Sequence, residues 1–322
     1  MGWCVKGGVI AAVVTMALTS GAATAADKHI AIATLVEHPA LDRAMKGVQD
    51  GLRDAGLTPE KGYRIEVQSA QGSPVTAGQI ARKFAGDKPD AIVALSTPVA
   101  QAMVAAIRDT PIVFSAISDP LAAKLVDNVE KPGRNVTGTS DSAPLGPLLT
   151  LIGEIVPDIQ AMGIVYNAGE ANSRAQVDRL KRESGDRNWR HVAAIVTKPT
   201  DVAGALQNLV GKVQAIYVPN DNTVVSTFEV VHRFSAETRL PVFATDTLNV
   251  DRGALAAVGV DYYDSGRIAA DMVRRILAGE KPGDIPVALP QNPDVAINAK
   301  VARELGITIP PAALARAKRI VE

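Results

Sequence analysis

The chain has 322 residues, and its 34 basic and 34 acidic residues give a formal net charge of +0. Nucleic-acid-binding surfaces are usually basic, so this balance argues against a nucleic-acid partner. Hydrophobic residues make up 47% of the chain and aromatic residues only 4%, which predicts a mainly aliphatic core. The length is ample for two domains.

The first 26 residues have the composition of a secretory signal peptide. Lys6 is the only charged residue before Asp27, and an apolar stretch that turns to small residues ends at Ala23-Thr24-Ala25, a typical cleavage motif. A membrane anchor is the alternative interpretation, but the apolar stretch is short for a membrane span. We therefore expect residues 1–26 to be removed on export.

The single cysteine, Cys4, lies in this segment. Cleavage would leave no cysteine in the mature chain, which excludes disulfides, thiolate metal sites and cysteine nucleophiles. A lipid-modified cysteine would follow the apolar stretch, so the position of Cys4 also argues against a lipoprotein anchor. No later segment is long and apolar enough to predict a membrane span.

Apolar strand-like runs alternate with helix-like segments along the rest of the chain. In the first half, strands are predicted at 29–35, 63–70, 90–96 and 111–117, with helices at 39–55, 74–86 and 98–109. After a polar connector at 135–142, strands AMGIVYN, RHVAAIV, QAIYVP and PVFAT alternate with helices at 145–156, 171–185, 201–212 and 223–238. A strand at 254–260, a helix at 261–280, a strand VAIN and two short helices complete the chain. This alternation predicts an α/β fold with right-handed βαβ units and parallel sheets in two halves.

Polar segments follow the predicted strands, and open parallel sheets bind ligands outside the carboxyl ends of their strands. Ser96-Thr97-Pro98 ends one strand and begins a helix. Its hydroxyls and the N–H groups of the helix suit a carboxylate, although a plain helix cap explains the residues equally well. Ser118-Asp119-Pro120 repeats the arrangement after the next strand, with the same two interpretations.

Two aspartates follow strands of the second half. Asp221, within Asn220-Asp221-Asn222-Thr223, and Asp246 could each meet a ligand ammonium group, because a buried carboxylate needs a partner. Capping and turn formation explain both residues as well. For Glu170, Asn172 and Ser173 we favour a structural role, with Asn172 or Ser173 capping the next helix.

The sequence lacks signatures of catalysis and of nucleotide binding. No G-x-G-x-x-G follows the first strand, and neither a G-x-x-x-x-G-K-[ST] loop nor a G-x-S-x-G elbow occurs. His29, His38, His191 and His232 show no metal-ligand spacing. We therefore expect no enzyme, no cofactor and no metal.

The polar segments also occur in a specific order. TLVEHPALD, AQG, STP and SDP are followed by YNAGEANS, YVPNDNT, VFATDT and GVDYYDSGR. This ordered set resembles the substrate-binding proteins of bacterial ABC importers, in the branch that includes the tryptophan- and tyrosine-binding proteins. The likeness covers nearly all of residues 28–315, although NAGEANS lacks the usual proline after its asparagine and RESGDRNWRH lacks the expected glycine-containing link.

The resemblance implies a type I periplasmic-binding-protein fold, in which two Rossmann-like lobes joined by a three-segment hinge close over a ligand. It places the N-terminal lobe at 27–140 plus 260–289 and the C-terminal lobe at 141–259 plus 290–322. It further implies a monomer in the periplasm that binds a small molecule, above all an aromatic or aliphatic amino acid, without a cofactor. Its partner would be an ABC permease in the inner membrane.

The resemblance also implies a set of ligand-binding residues at the strand ends. The ligand α-carboxylate would be held by Ser96, Thr97 and Ser118. The α-ammonium would be held by Asp221 or Asp246. The other expected members of the set are Asp119, Asn172, Ser173 and Asn222.

Two other functions remain open at this point. The binding protein could report to a signalling receptor and feed no transporter, or, less favoured, an exported enzyme could use the same cleft. The missing catalytic signatures argue against the enzyme. A neighbouring permease and ATPase gene pair would separate import from sensing.

Overall fold

The computed structural model describes residues 1–3, 27–290 and 292–322. The predicted signal peptide falls almost wholly outside the described residues, since 4–26 are not among them. Within the described part, no helix combines the length and the apolar character that a membrane crossing requires.

Two sheets organise the molecule. The first has five strands in the order β2-β1-β3-β4-β5, with bounds β1 Lys28–Thr34, β2 Tyr63–Ser69, β3 Ala91–Leu95, β4 Ile112–Ile117 and β5 Val136–Ser140. The second has seven strands in the order β12-β11-β10-β9-β8-β6-β7, with bounds β6 Ala161–Asn167, β7 Arg190–Val196, β8 Ala215–Val218, β9 Val242–Ala244, β10 Ala256–Gly259, β11 Asp294–Asn298 and β12 Arg319–Val321. The first sheet is parallel, as predicted, whereas β11 runs antiparallel to β10 and makes the second sheet mixed.

Helices pack against these sheets, as the alternating pattern predicts. They are α1 Pro39–Asp54, α2 Pro74–Asp87, α3 Thr97–Ala106, α4 Gly146–Ile155, α5 Ala171–Glu183, α6 Val202–Gln207, α7 Asn222–Val225, α8 Phe228–Thr238, α9 Tyr262–Leu277, α10 Ala299–Leu305 and α11 Pro311–Arg316. Every residue of β3 and β4 is buried, because these central strands are covered on both faces. We call the first sheet with α1–α3 and α9 the N-terminal lobe, and the second sheet with the other helices the C-terminal lobe.

The chain passes between the lobes at three places in its described part. It leaves the N-terminal lobe after β5, returns between β10 and α9, and leaves again between Leu289 and β11. Before the last crossing the chain runs beside β5, where the Ala288 N–H donates to the Gly138 carbonyl at 2.9 Å. The lobe bounds at 140, 260 and 289 remain a prediction. The third crossing delivers the chain to the cleft edge of the second sheet, so β11 must run away from the cleft and opposite to β10.

Helix α9 packs closely on α1, which fixes the segment after the second crossing to the N-terminal lobe. Glycines allow this approach: a Cβ on Gly47 would lie 2.1 Å from the Tyr263 carbonyl oxygen, and a Cβ on Gly266 would lie 2.1 Å from the Ala44 carbonyl oxygen. Real Cβ atoms do not approach backbone so closely, so any side chain at either position would push the helices apart.

The predicted connector at 135–142 is wrong, because residues 136–140 form β5 at the edge of the first sheet. The polarity of the segment predicts a connector, but its hydroxyls form hydrogen bonds inside the protein. Thr137 Oγ1 donates to the Ile285 carbonyl at 2.7 Å, and Thr139 Oγ1 donates to Ser115 Oγ at 2.9 Å. Satisfied hydroxyls can be buried at little cost, and β-branched threonine suits a strand.

The helices predicted at 201–212 and 223–238 are shorter than expected. The first is helical only over α6, and the second is divided into α7 and α8. At the division, Ser226 Oγ donates to the Thr223 carbonyl at 2.8 Å. Such local side-chain bonds compete with regular helix hydrogen bonds.

Candidate ligand-binding site

A cavity lies between the lobes, at the carboxyl ends of strands from both sheets. About 350 Å³ of space among its lining residues is not filled by protein atoms, and this figure includes space open to solvent. Its polar lining comes from both lobes, and a small apolar part of the wall consists of Ala40, Leu41, Ala116 and Val225.

The turn from β3 into α3 carries two buried hydroxyls, of which that of Thr97 lines the cavity while Ser96 lies outside the lining. Ser96 and Thr97 are each 1% exposed, and Ser96 has φ +85°, a left-handed conformation that is unusual for serine. Ser96 Oγ and Thr97 Oγ1 have no hydrogen-bond partner in the described part of the chain; we call such buried side-chain atoms unbonded atoms. Ser96 occupies the N-cap position of α3, but its side chain makes no capping bond, so the predicted side-chain cap is wrong.

A bulge at the end of β4 shapes the neighbouring part of the cavity. The pairing of β4 with β5 shifts register after Phe114, and Ala116 has φ +57°. Bulges of this kind bend a strand and redirect the side chains that follow. Ser118 then lines the cavity and accepts a hydrogen bond from Gln176 Nε2 of the opposite lobe at 2.9 Å.

Asp119, a predicted ligand residue, lies outside the cavity lining. Its Oδ1 accepts the N–H groups of Leu121 and Ala122 at 3.1 and 2.8 Å, so its carboxylate closes the turn after β4. These are the bonds of an Asx turn. The geometry therefore favours the structural interpretation for this residue.

Asp141, directly after β5, is a cavity residue that the sequence analysis missed. Its side chain is buried, its Oδ2 accepts the hydroxyl of Tyr262 at 3.0 Å, and its Oδ1 is an unbonded atom. Burial raises the pKa of Asp141 above its ordinary value. Tyr262, the first residue of α9, also lines the cavity and was missed as well.

In the C-terminal lobe, Asp221 caps α7, which agrees with its structural interpretation. Its Oδ1 accepts the Val224 N–H at 2.8 Å, and its Oδ2 accepts the Asn167 N–H and the Ser173 hydroxyl, both at 2.6 Å. Burial, together with the neighbouring charge of Glu170, raises the pKa of Asp221. Asp221 lines the cavity but is already bonded to three protein donors.

Glu170 holds two neighbouring segments of this lobe together. It occupies the N-cap position of α5, and its carboxylate accepts both the backbone and the side-chain N–H groups of Asn222. Asn172 and Ser173 lie in the first turn of α5 and do not cap it, because Asn172 Nδ2 donates to the Asn220 carbonyl at 2.7 Å while Ser173 donates to Asp221. The predicted capping role of these two residues is therefore wrong.

Gln176 connects the lobes and was not predicted. Its Oε1 accepts the Asn220 N–H at 2.9 Å and the hydroxyls of Thr245 and Tyr217 at 3.2 and 3.3 Å, while its Nε2 donates to Ser118. It lies four residues after Asn172 on the same face of α5, and that spacing was a signal that could have identified it. A second bond across the cleft joins His38 Nε2 and Asn222 Oδ1 at 3.4 Å.

Asp246, at the end of β9, is the third carboxylate of the cavity. Its Oδ1 accepts the Leu248 N–H at 2.9 Å, and its Oδ2 has one distant donor, Asn249 Nδ2, at 3.5 Å. Burial raises the pKa of Asp246 to about 6, and the nearby charge of Asp141 acts in the same direction. The carboxylate caps the short 3₁₀ turn that follows and also faces the cavity.

The cavity is acidic. Among the described residues that line it, none is lysine or arginine, while three are aspartates. Burial lowers the pKa of His38 to about 4, so this histidine is neutral at physiological pH. In the described ranges, no group of three or more His, Cys, Asp or Glu side chains is arranged to hold a metal ion.

The sequence pattern of the ABC transporter substrate binding protein family matches residues 29–321. The chain belongs to this family. The tyrosine-binding protein of Clostridioides difficile strain R20291 is 39% identical over 278 residues, which cover 86% of this chain and 81% of that protein. The predicted resemblance and the two-lobed α/β fold are thus confirmed.

Two solved structures of relatives differ in how well they match this one. An ABC domain from Streptococcus pneumonia in complex with L-Trp is 33% identical, covers 92% of this chain and 100% of its own, and has a TM-score of 0.89. A ligand-free, open substrate-binding protein with adhesive properties from Clostridium difficile is 38% identical. The match covers 91% of this chain and 99% of that one, with a TM-score of 0.69. The ligand-bound relative matches better despite its lower identity, so the lobes here are arranged more as in that complex.

Proposed function

We propose that this protein binds an amino acid in the interlobe cavity and delivers it to an ABC importer. The observation that carries the proposal is that one cavity holds two kinds of groups: the hydroxyls of Thr97 and Ser118, and three buried carboxylates. An amino-acid zwitterion carries the two complementary charges. The tyrosine-binding relative and the relative in complex with L-Trp support this ligand class.

The α-carboxylate would bind at the start of α3. The first N–H groups of a helix have no partner within the helix, and the helix dipole favours negative charge there. Thr97 Oγ1 is an unbonded atom of the cavity lining beside that terminus, and Ser96 Oγ is a second unbonded atom next to it, outside the lining. Ser118 accepts from Gln176 and has one hydroxyl hydrogen, which the ligand carboxylate would share with Asp141. Together these groups form a seat for one carboxylate.

The ligand side chain would lie against the small apolar wall of the cavity. Ala40, Leu41 and Ala116 come from the N-terminal lobe, and Val225 from the C-terminal lobe. An aliphatic or aromatic side chain would gain by burial there, at about 25 cal/mol per Å² of apolar surface. We therefore place aromatic and aliphatic amino acids ahead of charged ones as ligands.

Binding would close the hinge by shifting the population toward the closed form. The closed arrangement is supported by the bond from Gln176 to Ser118 and by the contact of His38 with Asn222, both of which join the lobes. A permease in the inner membrane would distinguish the closed from the open form. We also propose removal of residues 1–26, location in the periplasm and a monomeric state, with no catalytic role for the cleft.

Calorimetry and thermal shift of the chain from residue 27 to 322 test this function against the twenty amino acids. A ligand at 100 times its dissociation constant would add about 2.7 kcal/mol to the free energy of unfolding, which a melting curve resolves. We expect a clear shift with a few amino acids and none with sugars or nucleosides. A shift with sugars or nucleosides alone would refute the amino-acid assignment.

A further inference from the structure

The three carboxylates of the cavity differ in the protein donors they already accept. Asp221 accepts three, and Asp246 accepts one at 2.9 Å and one at 3.5 Å. Asp141 accepts the Tyr262 hydroxyl at 3.0 Å; the Ser118 hydroxyl and the Asn220 amide are close enough to lower its pKa, but its Oδ1 remains an unbonded atom. Asp141 is therefore the carboxylate with the most capacity left for a ligand donor.

Asp141 is also the carboxylate that lies at the hinge. It begins the first crossing between the lobes, whereas Tyr262 follows the second crossing, and both side chains are nearly fully buried, at 4% and 3% exposed. The described lining offers it no lysine or arginine. A buried carboxylate without a cation is costly, and a charge-assisted hydrogen bond from an ammonium group would offset that cost.

We propose that Asp141 Oδ1 receives the ammonium group of the bound amino acid, that Asp246 is the second carboxylate around that group, and that Tyr262 is a positioning residue for Asp141. This inference rests on the proposed amino-acid function and names the part of the site that selects the ligand charge. Asp141 thus takes the ammonium-binding role expected of Asp221, whose carboxylate already accepts three protein donors and caps α7. Asp141 lies at the first crossing between the lobes and Tyr262 just after the second. The ligand ammonium would therefore bind beside the hinge.

The test compares an amino acid with the same molecule lacking its amino group. L-Tyrosine is paired with 3-(4-hydroxyphenyl)propionate and L-tryptophan with 3-(indol-3-yl)propionate, and calorimetry gives the affinity ratio within whichever pair the wild type binds. We expect the wild type to prefer the amino acid by about 10- to 150-fold, the range for one hydrogen bond to a charged group. In Asp141→Asn that preference should fall to a few-fold, through loss of amino-acid affinity alone.

Asp119→Asn is the matched control, because Asp119 also follows a strand of the N-terminal lobe but lies outside the cavity lining. It should keep the wild-type preference. If Asp141→Asn keeps that preference too, or weakens both members of the pair equally, the ammonium assignment is wrong although the protein still binds amino acids. If the wild type binds neither amino acids nor their deaminated counterparts, the proposed function itself fails.

Tyr262→Phe tests the positioning role and guards against a misfolded Asp141 variant. It leaves Asp141 in place and removes only the hydroxyl that orients Oδ2. We expect a partial loss of the preference, about five-fold, and no further loss when Tyr262→Phe is added to Asp141→Asn, since the hydroxyl acts through the carboxylate. Fully additive losses in the double variant would show that Tyr262 acts independently of Asp141.

Discussion

The two halves of the cleft carry the same kinds of side chains in opposite states. In the N-terminal lobe the hydroxyls of Ser96 and Thr97 are unbonded atoms. In the C-terminal lobe the Ser173 hydroxyl donates to Asp221 at 2.6 Å, and Asp221 accepts two backbone N–H groups as well. The hydroxyls at the start of α3 are thus free for a ligand, whereas the Ser173 hydroxyl is already bonded, and the unbonded atoms of the C-terminal half are the amide atoms Asn172 Oδ1 and Asn220 Nδ2.

This difference in hydrogen bonding predicts which residues contribute to stability and which contribute to ligand affinity. A buried polar group that is bonded within the protein stabilises the fold, and its removal leaves its partners unsatisfied. A buried polar group that is unbonded costs stability until a ligand supplies the partner. Removal of an unbonded hydroxyl such as that of Thr97 should therefore lower affinity, whereas removal of a bonded hydroxyl such as that of Ser173 should lower stability.

The largest effect should follow Asp221→Ala. The change leaves the N–H groups of Asn167 and Val224 and the hydroxyl of Ser173 without their acceptor, so we expect the free energy of unfolding of the ligand-free protein to fall by roughly 3 kcal/mol. Urea unfolding measures this loss. Asp119→Ala, which removes a carboxylate from a surface turn, should cost about 1 kcal/mol or less. Unchanged stability of Asp221→Ala with a large loss of affinity would show that Asp221 serves the ligand and not the fold.

A smaller, paired effect should follow the removal of one hydroxyl from each half. Thr97→Val deletes an unbonded atom, so we expect unchanged or slightly higher stability without ligand and about tenfold weaker amino-acid binding. Ser173→Ala deletes a bonded hydroxyl, so it should lower stability by about 1–2 kcal/mol with little change in affinity. Calorimetry measures the amino-acid affinity of each variant, and urea unfolding measures the stability of each variant without ligand.

The difference between the two halves of the cleft requires that Thr97→Val lose mainly affinity and Ser173→Ala mainly stability. If the two variants lose affinity equally, the C-terminal half contributes ligand contacts as directly as the N-terminal half. If Thr97→Val is as destabilised as Ser173→Ala, the Thr97 hydroxyl has a structural partner in solution, and the N-terminal half is not prepared in advance for the ligand.

Much of the fold could be predicted from the sequence because its signals are local. Apolar runs such as 91–95, each followed by a polar turn and a helix, predict βαβ units without knowledge of distant contacts. The antiparallel direction of β11 could not be predicted in this way, because it depends on where the third crossing returns to the second sheet. Strand β5 was missed for a similar reason, since its threonines are satisfied by residues such as Ile285, far along the chain.

Asp141 was not predicted as a ligand residue because β5, the strand that precedes it, was not predicted. Ligand residues are expected at the carboxyl ends of parallel strands, and Asp141 directly follows β5. With 136–140 as a strand, the same rule selects Asp141. The rule did bring Thr97, Ser118, Asp221 and Asp246 together around one cavity. It could not tell which of them keep unbonded atoms, because hydrogen-bond partners such as Gln176 come from other elements.

The smallest effect concerns pH and tests the one C-terminal carboxylate that is only weakly bonded. Burial raises the pKa of Asp246 from 3.8 to about 6 in the folded protein, with Asp141 raising it further and Arg252 and Arg319 opposing the shift. The folded state therefore binds this proton more tightly than the unfolded state, and the stability that protonation contributes is lost as the pH rises from 3.8 to about 6.

Ligand binding should show the opposite trend, because an ammonium group needs the ionised carboxylate. Between pH 5 and pH 7 an amino acid stays zwitterionic, so a change in affinity over this range reports on the protein. We expect wild-type affinity to fall several-fold as the pH drops from 7 to 5, by at most about tenfold per pH unit for each carboxylate that takes up a proton. Asp246→Asn should weaken binding at pH 7 and give a shallower pH profile in calorimetry, with the remaining slope due to Asp141 and Asp221, whose pKa values burial also raises. A variant profile as steep as that of the wild type would show that Asp246 does not face the ligand charge, which would leave the C-terminal half without an electrostatic role in binding.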